Sequence, residues 1–120
     1  MDQHLLAALI APRAIIVNEG SKDNLANQEG SQESYLAARE VYKWLGAEEH
    51  IGWYENENSG HGYFEKDRFH TIDFAEKVFE GKTPARGATY IELVYPPRNT
   101  FDWTMPEIPS DSGKALIGRQ

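Results

Sequence analysis

At 120 residues, with 40% hydrophobic and 12% aromatic side chains, the chain has material for one core and no room for a second domain. It has no cysteine, which removes disulfides, thiolate metal sites and a cysteine nucleophile. Twelve basic against 19 acidic residues give a net charge of -7 with no basic stripe, which argues against sequence-independent nucleic-acid binding. No apolar run approaches the roughly 20 residues of a membrane span, and the N-terminus lacks the order of a signal peptide. A soluble chain with neither nucleic acid nor membrane as partner is expected.

Leu5, Leu6, Leu9 and Ile10 are spaced for one face of a short helix, with Asp2 placed to cap it and Pro12 to stop it. Ala14-Ile15-Ile16-Val17 is a β-branched run that predicts a strand buried on both faces, as in parallel sheets. Polar, turn-forming residues from Gly20 to Gly30 predict a loop, which contains Asp23. From about Ser31 to Leu45, Tyr35, Ala38, Tyr42 and Leu45 share a helical face, and Gly46 follows as a left-handed stop. His50 to Tyr54 is a short aromatic strand candidate, followed by the polar loop Glu55 to Gly62. Phe69, Ile72, Ala75, Val78 and Phe79 then keep helical spacing as far as Gly81.

After about residue 83 the helical period is lost, since five of the six prolines lie between Pro84 and Pro109. This region reads as an extended Pro-containing tail over 83–120, with one candidate edge strand at 89–95. Phe101, Trp103 and Met105 are expected to pack over exposed core or onto a partner.

Alternating helices and strands over 1–82 predict an α/β structure, three helices packed on a short parallel sheet. In such sheets sites form on loops at the carboxyl ends of strands, where Asp23 and Gly60-His61-Gly62 both fall. An α/β-hydrolase needs an acid and then a histidine in that chain order. The carboxylate fixes the imidazole tautomer and stabilises the imidazolium formed when a serine proton is taken. Asp23 and His61, 38 positions apart with one helix between, satisfy that order. Each also has an ordinary reading, Asp23 as a turn residue bonded to its own backbone and His61 as an exposed loop side chain.

The run DQHLLAALIAPR (Asp2 to Arg13) opens a resemblance that continues through Asn18 to Asp23, Glu29-Gly30, Tyr35 to Ala38, and Val41 to Gly46. Together these segments resemble the C-terminal portion of glucuronoyl esterases and related acetyl-xylan-esterase-like α/β-hydrolases, over about residues 2–81. The resemblance implies a partial α/β-hydrolase fold and ester hydrolysis, with His61 at the catalytic histidine and Asp23 at the superfamily's usual acid position. Some glucuronoyl esterases take the acid from an earlier strand. Where the family often has a proline and a tryptophan just after the acid, this chain has Asn24 and Leu25.

No serine here stands in G-x-S-x-G, and the strands that carry the nucleophile and oxyanion hole in the family are missing from the pattern. Ser59, two positions from His61, and Ser21, beside Asp23, are candidates for a recruited hydroxyl, with solvated loop residues as the alternative. A sheet of two strands leaves open edges, so a homo-oligomer or domain-swapped dimer is expected. Trp53 and Tyr63 are candidates for a sugar platform, and a small ester or carbohydrate ester is the substrate class that the resemblance implies; Trp44 reads as packing. His50, His61 and His70 lack metal-ligand spacing, so no metal or other cofactor is expected. The competing function is a non-catalytic hydrolase fragment that acts in assembly or binding.

Overall fold

The computed structural model describes residues 3–83, 94–96, 98, 106 and 107. Their order is α1 (Gln3–Ala8), β1 (Ile15–Gly20), α2 (Gln28–Trp44), a short 3-10 turn (Glu48–His50), β2 (Ile51–Asn56) and α3 (Glu65–Glu80). β1 and β2 pair in parallel, from Ile15 opposite Ile51 to Gly20 opposite Asn56. The fold is α/β, three helices on a two-stranded parallel sheet.

Strand alternation sends Ile15, Val17, Ile51 and Trp53 to one face of the sheet and Ile16, Gly52 and Tyr54 to the other. On the first face they meet α2, whose Tyr35, Ala38 and Tyr42 recur at helical spacing and are buried. Trp53, at 0% exposure, forms the centre of this core with its ring 5.9 Å from that of Tyr35. Burial pushes the Tyr35 and Tyr42 hydroxyls up to about 12, so both phenols stay neutral. On the second face Phe74 of α3 packs against Gly52, where a Cβ would stand 2.9 Å from the phenyl ring. Glycine at 52 is therefore what lets α3 approach the sheet.

Two side chains fasten the segment that enters β1. The Tyr42 hydroxyl donates to the Arg13 carbonyl at 2.8 Å, and His50 Nδ1 donates to the Pro12 carbonyl at 2.7 Å. The helices end where the glycines require, with Gly46 and Gly81 at φ of 70° and 65°.

Several expectations change. β1 runs on to Gly20 and is half-buried throughout rather than buried on both faces, because among the described residues it has a neighbouring strand on one side alone. α2 starts at Gln28 because the Asn27 side chain caps it by accepting from the Gly30 amide at 3.0 Å. Gly30 thus lies in the first turn rather than in the loop. α1 meets the core through Ala7, and Ala11 of the turn after it does the same, while Leu5, Leu6 and Leu9 stand exposed. α3 begins earlier than its apolar spacing suggests and buries Phe74, leaving Ile72 and Phe79 exposed.

Asp2, the edge strand at 89–95 over residues 89–93, and Phe101, Trp103 and Met105 lie outside the described residues. What is described of the C-terminal region runs along α2. Gln32, fully buried, accepts at Oε1 from the Val94 and Tyr95 amides at 3.0 and 3.1 Å and donates to the Tyr95 carbonyl at 2.8 Å. Trp44 Nε1 donates to the Pro106 carbonyl at 2.7 Å. No described helix is long and apolar enough to cross a membrane.

Trp53→Ala should destabilise the chain by about 3–5 kcal/mol in denaturant unfolding, the usual result of emptying a large buried site. Gln32→Ala removes three hydrogen bonds worth about 1 kcal/mol each. Amide exchange at Val94 and Tyr95 should accelerate about tenfold or more in that variant, while the β2 amides keep their protection.

Candidate active site

Parallel strands present both loop exits on one edge of the sheet, and Asp23 and His61 follow β1 and β2 by a few residues each. His61 Nδ1 lies 2.8 Å from Asp23 Oδ2. A carboxylate only accepts, so Nδ1 carries the proton and Nε2 is left with its lone pair. The imidazole is well exposed, at 74%, while the Asp23 side chain is at 9%.

Asp23 divides its two oxygens between the two readings that its sequence position allows. Oδ1 accepts from the Leu25 amide at 2.9 Å, closing a turn, and Oδ2 serves His61. The hydrogen bond from His61, and after it the one from Leu25, hold the Asp23 carboxyl below the ordinary 3.8, against a smaller opposing push from burial. The backbone around it is anchored as well. Gln28 Nε2 donates to the carbonyls of both Gly20 and Asp23, at 3.0 and 2.7 Å.

Of the two glycines that flank His61, Gly62 is the one whose backbone demands glycine. Its φ is 155°, and a Cβ there would stand 2.9 Å from the Phe64 ring. The chain then enters α3, where the Phe64 amide donates to Asp67 Oδ2 at 2.6 Å. Tyr63 is 58% exposed and donates to Thr71 Oγ1 at 2.8 Å, and Asn18 Nδ2 of β1 donates to that same oxygen at 3.2 Å. The histidine loop is therefore tied to both α3 and β1.

The other nominated residues fare differently. Ser59 spends its hydroxyl proton on the Asn56 carbonyl at 2.9 Å, and no hydrogen bond joins it to His61. Ser21 Oγ accepts from the Asn58 amide at 2.7 Å. Trp53 presents no face to a ligand, because it points into the core that α2 closes. His70 stacks on Tyr54 with ring centroids 3.5 Å apart, and His50 holds Pro12, so neither joins His61. Among the described residues no group of three or more metal-ligating side chains comes together.

Sequence reasoning missed Gln28, Thr71 and Asn18. Their signal is weak, since each is a common polar residue whose partner lies across the sheet or on a different element. It also missed the side-by-side Glu19 and Glu55, which register alone brings together. Burial and the neighbouring Glu19 charge raise the Glu55 carboxyl above its usual range.

The family model for fungal glucuronyl esterases matches residues 1–46. Among solved structures, the chain is similar to a carbohydrate esterase family 15 glucuronoyl esterase from Caldicellulosiruptor kristjansonii, at 29% identity and a TM-score of 0.76 over 89% of this chain. It is also similar to a glucuronoyl esterase catalytic domain from Hypocrea jecorina, at 25% identity and a TM-score of 0.69, again over 89% of this chain. The chain spans 27% and 30% of the lengths of those two. No curated protein matches it in sequence. By sequence over residues 1–46 and by fold over 89% of its length, the chain resembles part of a glucuronoyl esterase.

Proposed function

We propose that Asp23 and His61 are the acid and the base of a carboxylic-ester hydrolase site, and that the ester is one formed by a glucuronic acid carboxyl. The observation that carries this reading is the 2.8 Å bond from His61 Nδ1 to Asp23 Oδ2. It leaves Nε2 free of a proton on an exposed ring, ready to take one from an attacking hydroxyl. Asp23 remains ionised throughout, orienting the ring and stabilising the imidazolium. Returning that proton to the alkoxide leaving group completes acid–base catalysis by the same nitrogen. The names of the two solved esterases support the substrate class.

No serine among these 120 residues stands in G-x-S-x-G, so the proposal assigns the base and its acid and leaves the attacking oxygen unassigned. The Ser59 proton, committed to the Asn56 carbonyl, favours the second reading, a non-catalytic assembly or binding module. Hydrolysis of a short-chain p-nitrophenyl ester by the purified chain separates the two. On the first reading His61→Ala lowers kcat/KM by about 10²-fold or more. Equal rates in parent and variant would leave only the second.

The pair also sets a pH dependence of stability. Since the folded Asp23 carboxyl is held below its ordinary 3.8, folding favours its ionised form. The contribution is complete above 3.8 and is lost as pH falls through the lower folded value. In thermal melts near neutrality the parent should therefore outlast Asp23→Asn. That gap should close under strongly acidic conditions.

A further inference from the structure

The two site loops do not separate when the sheet ends. Past the last ladder pair, Gly20 opposite Asn56, the Ser21 amide still donates to the Asn56 carbonyl at 3.2 Å, and the Lys22 amide donates to the Ser59 carbonyl at 2.7 Å. Two serine hydroxyls fill in between. Ser59 Oγ donates to the Asn56 carbonyl at 2.9 Å, folding its own loop back, while Ser21 Oγ accepts from the Asn58 amide at 2.7 Å across the gap. Asn58 has a φ of 64°, a left-handed turn that asparagine tolerates and that aims its amide at Ser21.

Close approach has a steric condition as well. A Cβ on Gly20 would stand 2.5 Å from the Gly60 carbonyl oxygen and 2.9 Å from Ser59 Oγ, so the loops meet only because residue 20 has no side chain. One residue beyond Gly60 is His61. Its ring is too exposed for packing to hold it, so the path of the backbone from Ser59 to Gly62 decides whether Nδ1 reaches Asp23.

We propose that Ser59 and Ser21 are positioning residues of the Asp23–His61 pair, the Ser59 hydroxyl holding the fold of the His61 loop and the Ser21 oxygen tying that loop to the Asp23 loop at the separation where Nδ1 meets Oδ2. The inference deepens the reading of Asp23 and His61 as acid and base, and it gives both serines a task other than nucleophilic attack. It also explains why hydroxyl residues stand at these two places in loops otherwise open to solvent. Ser21 takes up the Asn58 amide, and Ser59 adds a third bond to an Asn56 carbonyl that already accepts from the Ser21 and Ser59 amides.

The Asp23 carboxyl reports directly on whether His61 is in place, and it does so without substrate. Its titration can be followed by carbon-13 NMR in the parent, His61→Ala, Ser59→Ala, Ser21→Ala and Ser21→Thr chains, with the amide spectrum as a record of the fold. His61→Ala should move the midpoint upward. Ser59→Ala and Ser21→Ala should each recover at least half of that movement with the amide spectrum of the core unchanged, and Ser21→Thr, which keeps the accepting oxygen, should return the parent midpoint. Parent midpoints in both alanine variants beside a moved His61→Ala would overturn the positioning role alone. An unmoved His61→Ala would instead overturn the acid–base pair itself.

Discussion

Parallel pairing of β1 with β2 is the constraint on which the rest of this chain depends. Antiparallel neighbours would send their two exits to opposite edges, whereas parallel ones send both loops out on the same side. With Gly20 opposite Asn56, the two loops start level, and Asp23 and His61 arrive together although they are 38 positions apart. A slip of one residue would turn every side chain to the other face and break both the core and the dyad.

That register is held by unequal layers. On the α2 side large aromatic groups interlock, with Trp53 between the strands and Tyr35, and Tyr42 reaching through to the Arg13 carbonyl. On the α3 side contact depends on an absence, since Phe74 fits where Gly52 has no side chain. The first layer fixes the sheet to α2 by volume. The second lets α3 come close enough for Thr71 to bond Asn18 and Tyr63, which links the histidine loop to the strand beside it.

At the candidate site, the meeting of Asp23 with His61 depends on backbone and side-chain groups around the pair. Asp23 is shared between a turn and a histidine, Gln28 holds two carbonyls of the acid loop, and Gly62 accepts a φ of 155°. Electrostatics follow from this geometry. The histidine bond holds the carboxyl low, so Asp23 carries its charge beside the imidazole. Glu19 and Glu55 show the opposite case, like charges brought side by side by register, one of them pushed up.

The sequence by itself determined the local elements and the chain order of Asp23 and His61. The Ile15-Ile16-Val17 run, the Tyr35, Ala38 and Tyr42 face and the helix-stopping glycines all rest on neighbours a few residues away, where a period or a turn is readable, and the acid-then-histidine order is read directly along the chain. The run from Asp2 to Arg13 added a resemblance to glucuronoyl esterases, which the match over residues 1–46 and the two solved structures share. Tertiary structure decided what depends on distant partners. It buried Trp53 rather than offering it to a sugar, engaged Ser59 with Asn56 rather than with His61, and exposed the α1 leucines while Ala7 and Ala11 took the core. A composition cannot show which of two apolar faces finds a neighbour, nor which carbonyl lies within reach of a hydroxyl. Those outcomes belong to the register of two strands and to the spaces their glycines leave.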